Sequence, residues 1–267
     1  MTLEKELSRE EYNALYASGE ELHRLIKSIN LAGGYPDTKK NRIVSAFLVK
    51  ATKTHNAIII LCKQGYGEDA VILARSLFDM LVDILYITRF KLDTMADRYE
   101  LYDDVWRAKA LNPEGKSRNL KKLIRERVRN LQPRDETPEK LNKKADKAMK
   151  RFKYRSDTWR PKKLTLYDMA VKVKLGPLYQ TMFKLHSQVV HTAPRIINNY
   201  AVIKDGHLNY TYQPSHKHVS DALISSFTLT FDILKVFNEL THTIPKESLE
   251  SIDMKHSLMV IKILGQT

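Results

Sequence analysis

Residues 67–87, GEDAVILARSLFDMLVDILYI, are the most apolar helix-length stretch of the chain. At about 100° per residue, Val71, Leu73, Ala74, Leu77, Phe78, Leu81, Val82, Ile84 and Leu85 cover most of the circumference. Arg75, Ser76, Asp79 and Asp83 share the remaining narrow sector with Ile72 and Tyr86. A helix so apolar around its girth belongs in the middle of a helical assembly. Its three charged positions make it a poor membrane span.

Working outward, residues 39–64 read as a second long helix, capped by Asp37 or Thr38. The link KQGYG is short enough to require a reversal, so the pattern predicts an antiparallel pair of helices, 39–64 and 67–90. His55 shares the apolar face of the first helix with Val44, Leu48, Ala51, Ile59 and Cys62. It stands ten residues before Gly65, and Arg75 ten after, which predicts His55 and Arg75 at one height. A surface pair of Arg75 with Asp79 at i,i+4 is the competing expectation.

Further out, Ser8-Arg9-Glu10-Glu11 has the spacing of a capping box and opens a helix to about Asn30. YAVIK and HLNYTY alternate around Asp205-Gly206, the turn dipeptide of a β-hairpin. Apolar residues return at helical spacing from Ser215 to about Leu240 and again in KESLESIDMKHSLMVIKIL. The expected fold is mainly α, a helical bundle around the central pair with one small hairpin near 200–212. We expect a single mostly helical domain, 1–267, carrying a basic helical insertion at 107–163.

Nine Gly and nine Pro in 267 residues suit helices, and the lone Cys62 excludes an internal disulfide and a cysteine-based zinc site. MTLEKELSREEY lacks the apolar core of a secretory signal, so a cytoplasmic location without a membrane span is expected. The net charge of +14 is concentrated. Between Arg107 and Lys163 stand 21 basic and 7 acidic residues, leaving 24 of each elsewhere.

Within that segment Lys121, Lys122, Arg125 and Arg129 recur at helical spacing, as do Lys143, Lys144, Lys147, Lys150 and Arg151. Phe152, Tyr154 and Trp159 follow. Cations in helical register suit a phosphate backbone, and Trp159 offers a ring for base stacking. Acidic protein surfaces and anionic membranes would be attracted as well.

Several chemistries are excluded or weak. GYGEDA lacks a third Gly, follows no strand and leads into two acids, so it is no phosphate loop. No nucleophile elbow, Walker lysine or His-Glu-x-x-His occurs. No Arg stands four to six residues before a His, as small helical ribonuclease toxins require. Glu20-x-x-His23 and Asp253-x-x-His256 have di-iron spacing, but the further carboxylates are missing. His216-x-His218 reads as solvated. No metal and no cofactor are expected.

KTHNAIIILCKQGYGEDAVILARSLFDMLVDILYI (53–87) and DTWRPKKLTLYDMAVKVKLGPLYQTMFKLHSQVVHTAP (157–194) resemble two blocks of a bacterial family catalogued as a domain of unknown function. The first block carries an Arg-Ser-Leu-Phe-Glu-like signature, from which this chain departs at Asp79. The second carries a Trp, a Tyr, and a Ser four residues before a His: here Trp159, Tyr179, Ser187 and His191. The resemblance spans roughly Lys39 to Pro214 and implies an all-helical fold in which the blocks pair. It also implies that Arg75, Asp79, Ser187 and His191 form one polar cluster.

The expected function is therefore a nucleic-acid-associated cytoplasmic protein, in its catalytic form an RNase-like bacterial defence effector that cleaves phosphodiesters. There His191 or His55 would be acid and base, Arg75 would hold phosphate, and Asp79 would orient a histidine, with Ser187 beside them. The alternative is a non-enzymatic helical interaction module or homodimeric scaffold, whose polar cluster only sets helix register. Expected partners are RNA or DNA, an acidic protein, or a second copy.

Overall fold

The computed structural model describes residues 7–29, 36–90, 92–111, 119, 122–123, 126, 137–154, 158–190, 200–204, 206–210 and 213–265. The fold is mainly α. Its described chain forms two compact units: one from residues 1–85 and 170–267, the other from 86–169. Residues 107–163, expected as a basic insertion, fall within the sequence range of the second unit, which also takes in the helix that precedes them.

In the first unit, α1 (Arg9–Ser28) starts at the capping box. Ser8 Oγ accepts from the Glu11 amide at 3.2 Å, and Glu11 Oε2 accepts from the Ser8 amide at 2.6 Å. Helix α2 (Lys39–Lys63) is capped by Thr38, whose hydroxyl accepts from the Asn41 amide at 3.1 Å. α2 packs against α1 and against a long helix near the C-terminus, α9 (Val219–Thr241). α10 (Lys246–Leu264) packs on α1 and α9. By length and composition α2 could cross a membrane, but its apolar face is used here as bundle core, with Val44, Leu48, Ala51, Ile58 and Cys62 fully buried.

Helix α3 (Gly67–Arg89) is the apolar stretch, and Val71, Ala74, Leu77, Phe78, Leu81, Val82 and Ile84 are all fully buried. Its start is tied to the segment before α9. Gly65 turns at φ +78°, and its carbonyl accepts from the Ser215 amide at 2.8 Å. Gly67 lies so close that a Cβ there would stand 2.1 Å from the Lys217 carbonyl oxygen. The hairpin joins β1 (Ala201–Lys204) to β2 (His207–Tyr210), with Ala201 opposite Tyr210 and Gly206 at φ +75°. Tyr200 anchors it, donating its hydroxyl to Glu68 Oε2 at 2.5 Å.

In the second unit, α4 (Leu92–Leu111) packs against α5 (Pro138–Phe152). Thr137 caps α5, and Lys153 ends it in the left-handed region at φ 50°. Beyond lie α6 (Leu166–Lys172), the short α7 (Gly176–Leu178), a π-helical turn (Tyr179–Phe183) and α8 (Lys184–Val190), of which all from Ala170 onward belong to the first unit.

Candidate functional site

The basic surface of the second unit is built on α5. Leu141, Ala145 and Ala148 recur at i, i+4 and i+7 and are buried against Val105 and Leu111 of α4. The two helices run antiparallel. Leu111 meets Leu141 at one end, and Arg151 bonds Asp97 at 2.8 Å at the other. Burying that stripe turns Lys143, Lys144, Lys147 and Lys150 outward, all exposed. Among the described residues, Lys143, Lys147 and Lys150 have no ion-pair partner. Lys122 is also exposed, 4.0 Å from Glu126. Lys121, Arg125 and Arg129 lie outside the described residues.

Trp159 corrects the expectation of a stacking platform. It is buried, edge-on to Tyr99 with ring centroids 5.3 Å apart. The tryptophan that faces solvent is Trp106 of α4. What the sequence reading missed is Arg98, a buried guanidinium that gathers the end of α5. It donates to three carbonyls: Trp159 at 2.6 Å, Phe152 at 2.6 Å and Arg160 at 3.0 Å. The cation lies 4.6 Å from the centre of the Tyr154 ring, whose hydroxyl donates back to the Arg98 carbonyl at 2.6 Å. Burial lowers the Arg98 pKa and raises that of Tyr154, because it disfavours charge on either group. One signal was available. An Arg on α4 that shares a face with Tyr102 and Val105 needs interior acceptors.

In the first unit the two blocks singled out by resemblance do meet, through rings. Phe78 lies 6.1 Å from Tyr179 and 5.1 Å from Phe183, and the latter two stack at 4.6 Å. Arg75 is half-buried with its guanidinium 4.7 Å over the Phe183 ring. Its Nε is buried without a hydrogen-bond partner among the described residues. Arg75 is thus a cation over a ring, with no ion pair and no bond to His55 among the described residues. Asp79 is half-buried and engaged in an interaction of its own.

Ser187 donates its hydroxyl to the Phe183 carbonyl one turn back, at 2.8 Å, a local back-bond of the kind helical serines make. His191 lies outside the described residues. On the same short helix His186 is buried, with Nδ1 unpartnered among the described residues. Burial pushes its pKa down to about 4. The Asp221 carboxylate opposes this and His218 adds to it. Its signal was present in the sequence: His186 stands three residues after Phe183, on the same helical face.

His55 is the largest correction. Its ring is fully buried between three helices, not turned to Arg75. Nε2 donates to the Gly19 carbonyl of α1 at 3.0 Å, and Nδ1 meets the Ser226 hydroxyl of α9 at 3.1 Å. Gly19 allows this approach, since a Cβ there would stand 3.1 Å from Ile59 Cδ1. Burial drives the His55 pKa down to about 4. His256 lies close by, stacked on Phe227 at 3.5 Å with Nδ1 2.9 Å from the Ser18 hydroxyl, and its pKa is also down to about 4. His23 and His256 each couple to His55, so protonating one ring opposes protonating the next. No group of three or more His, Cys, Asp or Glu suited to a metal exists among the described residues.

The chain is mainly α, with the Arg-bearing helix α3 docked by rings onto a Ser-containing π/α segment. The chain belongs to the family of unknown function DUF5677, which it matches over residues 41–208. No curated protein and no solved structure matches it.

Proposed function

We propose that this is a cytoplasmic nucleic-acid-binding protein that grips the phosphate backbone through the outer face of α5. One observation carries the reading. Lys143, Lys147 and Lys150 are exposed and unpaired among the described residues, on a helix whose opposite face is locked into α4. A rigid row of free ammonium groups releases condensed counterions from a polyanion at little ordering cost. With Trp159 buried, the grip is electrostatic and indifferent to base identity.

Binding without cleavage is the form that the geometry favours. A fully buried imidazole with both nitrogens engaged is badly placed to reach a phosphodiester, which weighs against His55 as acid or base. An RNase-like defence activity would then rest on His191 with Arg75, and incubating labelled RNA with wild type beside Arg75→Ala and His191→Ala tests it. Equal, negligible cleavage by all three leaves the binding function alone.

For binding itself, fluorescence anisotropy with labelled single-stranded RNA and duplex DNA is measured over a range of salt. We expect affinity to fall steeply with salt. The Lys143→Gln, Lys147→Gln, Lys150→Gln triple variant should lower the slope of log K against log salt by about 2 to 3, near one per lost phosphate contact. An unchanged slope and affinity would remove α5 as the docking face.

A further inference from the structure

α10 carries apolar residues on two faces. Leu249, Ile252, His256 and Ile263 are buried in the bundle. On the opposite side Met254 (62 % exposed), Leu258 (61 %), Ile261 (65 %) and Leu264 (55 %) stand in solvent. Met254, Leu258 and Ile261 fall at i, i+4 and i+7, one straight stripe. A helix apolar on both sides is normally covered on both sides. We propose that the cover is a second copy of the same helix, packed antiparallel about a two-fold axis near Leu258.

Area and charge select that occupant. The four side chains expose on the order of 500 Å² per copy, so mutual burial removes about 1,000 Å², the threshold of a specific interface. A contiguous stripe of that size matches the largest apolar patch of a typical monomer, about 300–600 Å² and often functional, and not the singly scattered exposure that needs no explanation. Although the chain carries +14, α10 is neutral: Lys246, Glu247, Glu250 and Asp253 sum to −2, and Lys255 and Lys262 to +2. Two copies therefore meet here without the repulsion that the basic segment would impose. Antiparallel alignment sets the acidic half of one helix beside the basic half of the other and opposes the two helix dipoles, whereas parallel alignment sets like against like. That segregation also suits a single helix's own dipole, but the apolar stripe has no such use within one chain. An isologous two-fold contact of this kind closes as a dimer.

α10 lies outside residues 41–208, so this interface belongs to the C-terminal helix of this chain and not to the family-matched region. It is independent of the binding reading on α5, since none of its residues is shared.

The test is light scattering after size exclusion on the full chain over a wide concentration range. The wild type should run at twice the chain mass. The Leu258→Glu, Ile261→Glu variant should run as a monomer with an unchanged far-ultraviolet spectrum and Tm, and Leu258→Ser alone should raise the dimer dissociation constant at least tenfold. Orientation is read by disulfide trapping, which is clean because the one native cysteine, Cys62, is buried. Mixing Met254→Cys with Ile261→Cys should yield the mixed dimer in preference to either self-linked one. A wild type that is monomeric throughout overturns the proposal, and so does a monomer that floats with anionic vesicles through α10. Dimers insensitive to both variants, or dominant Met254→Cys self-linking, overturn the interface and the antiparallel register respectively.

Discussion

Lowering the pH should unlock the bundle through His55. In the folded chain its pKa is held at about 4 against an ordinary 6.5, chiefly because burial penalises the imidazolium. Between those two values the unfolded chain binds more protons than the folded one, so stability falls as pH falls. The neutral ring's contribution is complete above pH 6.5, declines from there to about pH 4, and is exhausted below. At 1.36 kcal/mol per pH unit of difference, His55 alone withdraws about 2 kcal/mol at pH 5 and roughly 3 kcal/mol by pH 4. That is a large share of a typical domain stability of about 5–15 kcal/mol. The cost is the buried charge and not a lost hydrogen bond: Nε2 already donates to Gly19, and the Ser226 oxygen can accept from a protonated Nδ1 while its hydroxyl donates to the Leu223 carbonyl at 3.1 Å. Urea unfolding followed by circular dichroism at pH 7.5 and pH 5 measures the effect. Fluorescence is unsuitable, because Trp106 and Trp159 both lie in the other unit. His55→Gln keeps one donor and one acceptor and does not titrate, so it should be less stable at pH 7.5 but flatter with pH by about 2 kcal/mol. If its pH dependence equals that of the wild type, the acid sensitivity comes from elsewhere and the buried-ring argument fails.

Two other perturbations follow from single contacts. Arg98→Lys should cost about 3 kcal/mol or more, since an ammonium cannot bond three carbonyls in the plane that a guanidinium spans; a red shift of tryptophan emission should accompany the loss, Trp159 being one of those partners. Gly67→Ala should lower Tm by several degrees, because its methyl group would collide with the Lys217 carbonyl and push the start of α3 off the segment before α9; an unchanged Tm would show that this junction yields freely.

Local chemistry was legible without any coordinates. Ser8 and Glu11 announce a helix start because each satisfies an amide three residues away. Thr38 before α2 and Gly206 in the hairpin act at equally short range. The amphipathic spacing of Leu141, Ala145 and Ala148 likewise predicts which side of α5 carries the lysines. Even the meeting of the two resembling blocks was expected, although the rings of Phe78, Tyr179 and Phe183 that join them were not.

The tertiary structure decided everything that depends on how a helix is rotated about its axis. Equal sequence distance from Gly65 predicts a common height for His55 and Arg75, but says nothing about which way each ring or guanidinium points. Helix α2 turns His55 to α1 and α9, more than 30 and 170 residues away in the chain, and α3 turns Arg75 onto Phe183. Trp159 and Arg98 show the same limit: an aromatic beside lysines reads as a platform, and an arginine as surface, until long-range packing buries both. Helix identity, caps and turns are set by hydrogen bonds that span three or four residues, so the sequence by itself determines them. Side-chain partners across the core are set by which faces exclude water together, and only the assembled bundle determines those.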